Sequence, residues 1–319
     1  MKVIFYTDQI DVRGTCVALY DYAYYNETIL QNESVVITRK TSQHNSLAIK
    51  KFLNRFRVIF YDSFQELSQI VKDFDVLYCI LYGKKNNEIA SLTNIKIVIH
   101  CVFDLSEPFG NVYCAVSKSL AKKYKSDIYV PHMIGLKPSI TRENRRKEFG
   151  IPKNALVFGR YGGQDTFDLK FAIEAIREIV RSNSNIYFVF MNTPIFDNHE
   201  QIKFTDPVVD SEEKNRFICT CDAYLECGTL GHSFGLSIGE FSVNNKPIIA
   251  YKPNSFIWNT SHLDILGESG FYYSNKDEFI NTLLNFKKLS FKADSTVNWN
   301  RYSEYSPIKV MKIFQEVFL

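Results

Sequence analysis

The chain has no apolar run approaching the roughly 20 residues that a membrane-spanning helix requires, so a bilayer-spanning helix is not expected. It also lacks a strong charge of one sign. Its formal net charge of +3 is too small for a nucleic-acid partner, which would show as a concentrated basic stripe. The densest basic cluster, Arg142, Arg145, Arg146 and Lys147, has Glu143 inside it and reads as a solvated helix face. No leader pattern opens the sequence: Met1–Thr7 is a short apolar run that turns polar at once, as a first buried strand does. No Gly-x-Gly-x-x-Gly follows that strand, which argues against a plain NAD-binding domain. There is no low-complexity segment and no short-period repeat.

Two metal-site patterns fail, one on spacing and one on its place in the fold. Cys219, Cys221, Cys227 and His232 begin with a Cys-x-Cys step, tighter than the usual zinc knuckle. Buried thiols are the expected reading, and seven cysteines, an odd number, suit reduced thiols in a cytoplasmic protein. Asp73-Phe74-Asp75 mimics a metal-binding Asp-x-Asp, but it lies in a helix-to-strand turn before a buried strand. No metal is implied.

What is present is ordinary globular material. A length of 319 residues, 45% hydrophobic and 23% charged, fits two domains that each bury a core. The 19 Tyr and 26 Phe are expected mostly in those cores. Short β-rich runs alternate with helical patterns, the signature of parallel βαβ units. Strands are expected at Lys2–Tyr6, Ser34–Thr38, Arg57–Tyr61, Val76–Leu81, Lys96–Phe103 and Val112–Val116, with an amphipathic helix over Phe64–Lys72. After Pro138 and the charged stretch to Gly150 the pattern restarts. Ala155–Arg160, Asn185–Met191, Ala223–Glu226 and Pro247–Tyr251 read as strands and Leu169–Ser182 as a helix. Two doubly wound domains follow, 1–135 and 136–319. The terminal helix, about 306–319, has Ile308, Met311, Ile313, Phe314 and Val317 at helical spacing and is expected to cross back to the first domain.

The segment from Asp222 to Ala250 carries the chemistry. A buried strand leaves its carboxyl end through a Gly-rich turn into a short helix expected to begin near Ser233. Such a helix N-terminus is a prepared anion site, because its free N–H groups and dipole converge on one point. Gly235 would let a ligand approach the backbone. Glu240, one to two turns on, is placed to accept hydrogen bonds from a vicinal diol such as ribose. Asn245 falls where the helix should end in a left-handed residue, and Pro247 stops it. Diphosphate plus ribose makes a nucleotide.

Gly231-His232-Ser233-Phe234-Gly235-Leu236, with Glu240 and the Asn245-Lys246-Pro247 exit, resembles the donor motif of glycosyltransferase family 4, retaining enzymes of the GT-B fold. That motif has two Glu residues separated by seven positions, the first contacting the transferred sugar and the second the ribose. Glu240 matches the second; His232 stands at the first, a departure. Leu156–Asp168 resembles the strand and loop opening the family's second domain. The resemblance gives Arg160 to the donor diphosphate and Gly162-Gly163 to close backbone approach. The family's Lys five residues after the Arg is Asp165 here, and Lys170 is the nearest cation. In the first domain Val98-Ile99-His100-Cys101 resembles the strand end whose His approaches the transferred sugar. Gly14 stands at a shortened first Gly-rich loop, and Val112–Lys118 and Ile128–His132 also match family segments.

The resemblance implies two Rossmann-like domains facing each other across a cleft, an α/β GT-B architecture. It implies a nucleotide-diphosphate sugar donor, a glycan or other hydroxyl acceptor, retained configuration, and no cofactor or metal. Substrate contacts are then expected from Gly14, Arg160, Gly163, His232, Ser233, Phe234, Gly235, Leu236 and Glu240, with His100 as the catalytic candidate. Plainer roles stand beside these: a half-buried strand-end His for His100, a surface ion pair for Arg160, a helix-favouring acid in Glu240, a solvent-facing turn residue in His232. Two other functions remain open. One is an inverting GT-B transferase using Asp104 or His100 as base; the other is a non-catalytic nucleotide-sugar-binding module.

Overall fold

A computed structural model describes residues 1–182, 185–287 and 297–319. The chain divides into two compact units, Met1–Gly135 with Glu304–Leu319, and Leu136–Ser303. In the first, β1 (Lys2–Thr7), β2 (Glu33–Arg39), β3 (Arg57–Tyr61), β4 (Val76–Leu81), β5 (Lys96–Cys101) and β6 (Val112–Ala115) form one sheet ordered β3-β2-β1-β4-β5-β6. Every pairing is parallel. The second sheet comprises β7 (Leu156–Tyr161), β8 (Ile186–Met191), β9 (Ile202–Thr205), β10 (Ala223–Glu226), β12 (Ile248–Tyr251) and β14 (Phe271–Tyr273). Its order, β14-β12-β10-β7-β8-β9, repeats the first topology and is again wholly parallel. A short extra pair joins β11 (Gly231–His232) to β13 (Asn259–Thr260).

Helices on both faces explain why the central strands read as unbroken apolar runs: Val3–Tyr6, Val76–Ile80 and all of β7 are buried. The second core gathers Phe158, Phe188 and Leu225 from the strands with Ala172, Ile176 and Ile179 from the helix Lys170–Ser182. In each sheet the order reverses beside the first strand. Loops leaving the carboxyl ends there, β1 and β4 or β7 and β10, diverge to opposite faces and open a crevice.

Some expected bounds shift. β5 ends at Cys101 and β6 at Ala115. The expected helix over Phe64–Lys72 is α-helical to Ile70 and finishes as a 3-10 turn. β9 and β14 are short edge strands without a strong apolar run, and the sequence does not announce them. The terminal helix Pro307–Phe318 belongs to the first unit, where Phe314 stacks on Tyr22 and Phe318 packs on Tyr78. Its buried stripe is Val310, Met311, Phe314 and Phe318; Ile308, in the first turn, is 74% exposed.

Candidate functional site

Two strand ends, β7 and β10, build the site at the reversal point of the second sheet. β7 delivers Arg160, whose side chain is fully buried. One terminal nitrogen donates to Thr193 Oγ1 at 2.8 Å; the other donates to the Gly163 carbonyl at 3.2 Å and to Thr166 Oγ1. Phe167 lies under the guanidinium, 5.5 Å from ring centroid to carbon. Arg160 Nε has no hydrogen-bond partner, and among the described residues no carboxylate lies within ion-pair distance of this side chain. Burying an unpaired charge is costly, so an arrangement of this kind is suited to an incoming anion.

The glycines beside it are also constrained by the protein's own side chains. A Cβ on Gly162 would sit 2.8 Å from Arg160 Nη2, and one on Gly163 would press Thr166 at 3.2 Å. Both make room for the protein's own guanidinium clasp. Asp168 then ties this loop to the next: Thr229 donates its N–H and hydroxyl to the Asp168 carboxylate at 2.8 and 2.5 Å.

β10 leads through Cys227-Gly228-Thr229-Leu230 to His232 and the helix Leu236–Val243. That helix starts three residues later than expected, because Gly235 takes the left-handed conformation, φ +89°, as its N-cap. No side chain caps it, and its first turn carries no acid, leaving first-turn N–H groups for another acceptor. Tyr224 joins the two halves: its hydroxyl reaches the Tyr161 carbonyl at 3.2 Å and Ser237 Oγ at 3.0 Å. The uncapped helix start and the strand end bearing Arg160 are thus held by one side chain. At the far end Asn245 is left-handed, φ +57°, as expected.

The other named residues separate into three groups. Phe234 is core: it is buried, packs edge-on to Tyr302 and has its carbonyl bonded by the Tyr302 hydroxyl at 3.0 Å. Ser233 is buried, while Leu236 and His232 are partly exposed. Glu240 faces inward, with Oε2 accepting from Tyr161 at 2.6 Å and Oε1 from Lys214 at 2.8 Å. Desolvation and the Glu240 charge together push the Tyr161 phenol well up. Lys214, on the helix Ser211–Thr220, supplies a cation that sequence spacing did not reveal, whereas Lys170 is exposed at the start of its helix.

In the first unit, Gly14 opens the exposed start of the helix Gly14–Thr28 after β1. His100, the catalytic candidate, lies in the core of this unit. It is fully buried, Nδ1 is 2.6 Å from the Tyr78 hydroxyl, Nε2 is 2.7 Å from the Val130 carbonyl, and Phe318 packs against the ring. Burial lowers its pKa to about 4 against the pull of the Val130 and Ala115 backbone, so the ring stays neutral. Asp104 accepts from the Ser106 N–H at 2.7 Å and pairs with Lys84 at 3.2 Å. Its own desolvation is outweighed by those contacts, and its pKa is lowered.

All seven cysteines are free thiols, and among the described residues no cluster of three His, Cys, Asp or Glu is placed to hold a metal ion. None of the described helices is long and apolar enough to cross a membrane.

Solved structures share this arrangement over the whole chain. The Anabaena protein Alr3699/HepE in complex with UDP-glucose superposes with a TM-score of 0.75, covering 99% of this chain and 98% of its own at 14% identity. The fold is GT-B. Staphylococcus aureus TarM, in a complex containing UDP, gives 0.66 over 99% of both chains at 9% identity. Sucrose-phosphate synthase from Thermosynechococcus elongatus gives 0.60 over 100% of this chain and 95% of its own at 13% identity. No protein-family profile and no curated protein matches the chain in sequence.

In this GT-B chain, sequence reasoning missed two residues of the site besides Lys214. Glu226, the last residue of β10, is buried with its carboxylate beside His232, and His262, on the helix Ser261–Leu266, is fully buried next to the same ring. A carboxylate ending an otherwise apolar strand was the available signal for Glu226. Nothing local marks His262, because thirty residues separate it from His232.

Proposed function

We propose that the chain is a metal-independent glycosyltransferase that moves a hexosyl or related sugar from a nucleoside-diphosphate sugar to an acceptor hydroxyl with retained configuration. The observation that carries this reading is Arg160, a buried guanidinium without a carboxylate partner, linked through Tyr224 to an uncapped helix start. A diphosphate offers acceptor oxygens and negative charge in direct contact, which no carboxylate gives to either. As the sugar departs, charge grows on the leaving diphosphate, and preorganised donors at that point stabilise it. The family resemblance implies that the diphosphate itself assists acceptor deprotonation. With His100 neutral and enclosed, that route needs no protein base. The solved complexes of HepE with UDP-glucose and TarM with UDP support this donor class.

His232, the partly exposed side chain of the Gly-rich segment, is assigned to the transferred sugar or its diphosphate. Neutral or charged, imidazole still donates a hydrogen bond where the family has a carboxylate. Glu240 is assigned to the ribose; both its oxygens already serve Tyr161 and Lys214, but each keeps a second lone pair. That prior engagement, with the departure at His232, favours a second reading: a binding module that holds the nucleotide-sugar and does not turn it over. The test is incubation with UDP-glucose and a panel of other nucleoside-diphosphate sugars, in EDTA, following diphosphate release and the product's anomeric proton by NMR. Release with a retained anomer supports the transferase. Saturable binding with no release from any donor supports the module, and an inverted anomer removes the retaining assignment.

A further inference from the structure

The Gly-rich segment is folded around a buried acid. Glu226 is 1% exposed, and its Oε1 accepts the Gly228 N–H at 2.8 Å. A Cβ on Gly228 would fall 2.7 Å from that same oxygen, so a side chain there would press on the carboxylate. Oε2 lies 3.4 Å from the Tyr224 hydroxyl and 2.8 Å from His232 Nε2, an ion-pair distance although the ring N–H is not aligned for a hydrogen bond. The His262 ring stands edge-on to His232 at 5.1 Å, and neither of its nitrogens has an aligned hydrogen-bond partner.

An ionised carboxylate at this depth needs opposite charge facing it. Burial would raise the pKa of Glu226, but His232, His262 and Arg160 pull it down to about 2. Those three are the basic groups on the elements packed around it, from β11, the helix Ser261–Leu266 and β7. Asp168, on the adjoining loop, is engaged with Thr229. Arg160 is beyond ion-pair distance. His262 is driven to about 3 by burial first and by His232 second, with Glu226 and the His232 carbonyl opposing, and stays neutral. The partner in contact is His232, whose side chain is one-fifth exposed and so has one edge toward solvent.

We propose that Glu226 is a positioning residue that holds the His232 ring by Nε2, leaving Nδ1 to hydrogen-bond the bound donor: as imidazolium it donates to the diphosphate, and as neutral imidazole it accepts from a sugar hydroxyl. This rests on the donor reading above. The carboxylate that the resemblance places at position 232 is here one step back, at 226, and acts through the imidazole. The pair should therefore behave as a unit in donor binding, and carboxylate and imidazole should be exchangeable between the two positions.

The experiment is a double-mutant cycle on the full chain. Dissociation constants for UDP-glucose and UDP are measured by calorimetry for wild type, Glu226→Gln, His232→Gln and the double variant, together with the exchange Glu226→His with His232→Glu. Each single Gln variant is expected to weaken UDP-glucose by about tenfold, and the double variant by no more than the worse single. The exchange is expected to recover at least half of the affinity, in logarithmic terms, lost by Glu226→His alone. Losses that multiply, or an exchange no better than its single variants, overturn the proposal. A merely structural role is separated by histidine ring NMR: Glu226→Gln should move the His232 and His262 ring signals while leaving those of His100 and His132 in place. Unmoved His232 signals also overturn it. If Glu226→Gln does not fold, His232→Gln and the exchange carry the comparison. Should wild type bind neither UDP nor UDP-glucose, the donor reading fails, while the ring signals still report whether the pair exists.

Discussion

At the scale of single residues, the site depends on groups held in costly states. Arg160 is buried without a carboxylate in contact, and a Cβ on Gly162 would crowd its guanidinium. Arg160→Gln is expected to weaken UDP binding by about 1.5–3 kcal/mol, the worth of charge-assisted hydrogen bonds, as read by calorimetry. Equal affinity would remove Arg160 from the anion site. Glu240→Ala is expected to weaken UDP by a similar ~1.5–3 kcal/mol, but it also strands Lys214 beside Tyr161 and should lower the unfolding midpoint. Adding Lys214→Met separates the two effects: stability should return and affinity should not. Gly235→Ala places a Cβ at φ +89°, and about 1–2 kcal/mol of stability should be lost in denaturant titration. These roles were unequally legible in the sequence. Arg160, Glu240 and Gly235 stood in a recognisable order, whereas Glu226, Lys214 and His262 meet them only through tertiary packing. A strand-end histidine such as His100 looks the same in sequence whether its nitrogens face a ligand or, as here, Tyr78 and the Val130 carbonyl.

At the scale of elements, central strands were readable and edge strands were not. A parallel strand covered on both faces must be apolar throughout, so β1, β4, β7 and β8 declare themselves. β9 and β14, at the margins of the second sheet, bury less and carry no such run. The helix after the Gly-rich segment was placed three residues early because the left-handed backbone at Gly235, its N-cap, does not show in the sequence. The terminal helix shows the opposite balance: its apolar spacing was plain, but Phe318, at its very end, proved to be core and Ile308 did not. Phe314→Ala removes a ring packed on Tyr22 and Tyr78, and should cost about 3–5 kcal/mol in chemical denaturation. A loss below 1 kcal/mol would mean that this helix contributes little to the first unit's core.

At the scale of the whole molecule, the same strand order occurs twice, and in the second unit the groups proposed for the donor gather where that order reverses. Acid sensitivity is also a property of the whole. Burial lowers the pKa of His100 to about 4 and of His262 to about 3, and drives His132 well below its ordinary value. A group whose folded pKa is depressed takes up its proton more readily when unfolded, so its stability is complete above the unfolded value and declines as pH falls toward the folded one. The unfolding midpoint should therefore hold above about pH 6.5 and fall steadily toward pH 4, and His100→Phe should flatten part of that slope. The central claim is that the second unit binds a nucleoside-diphosphate sugar through the Arg160 site without a metal. Its most direct test is a thermal-shift titration with a panel of nucleoside-diphosphate sugars, in EDTA, on wild type and Arg160→Gln. The account predicts a concentration-dependent rise in midpoint for at least one donor, worth about 2.7 kcal/mol at a hundred times its dissociation constant, and largely lost in the variant. No shift with any donor, a shift that requires magnesium or manganese, or an equal shift in the variant would contradict it.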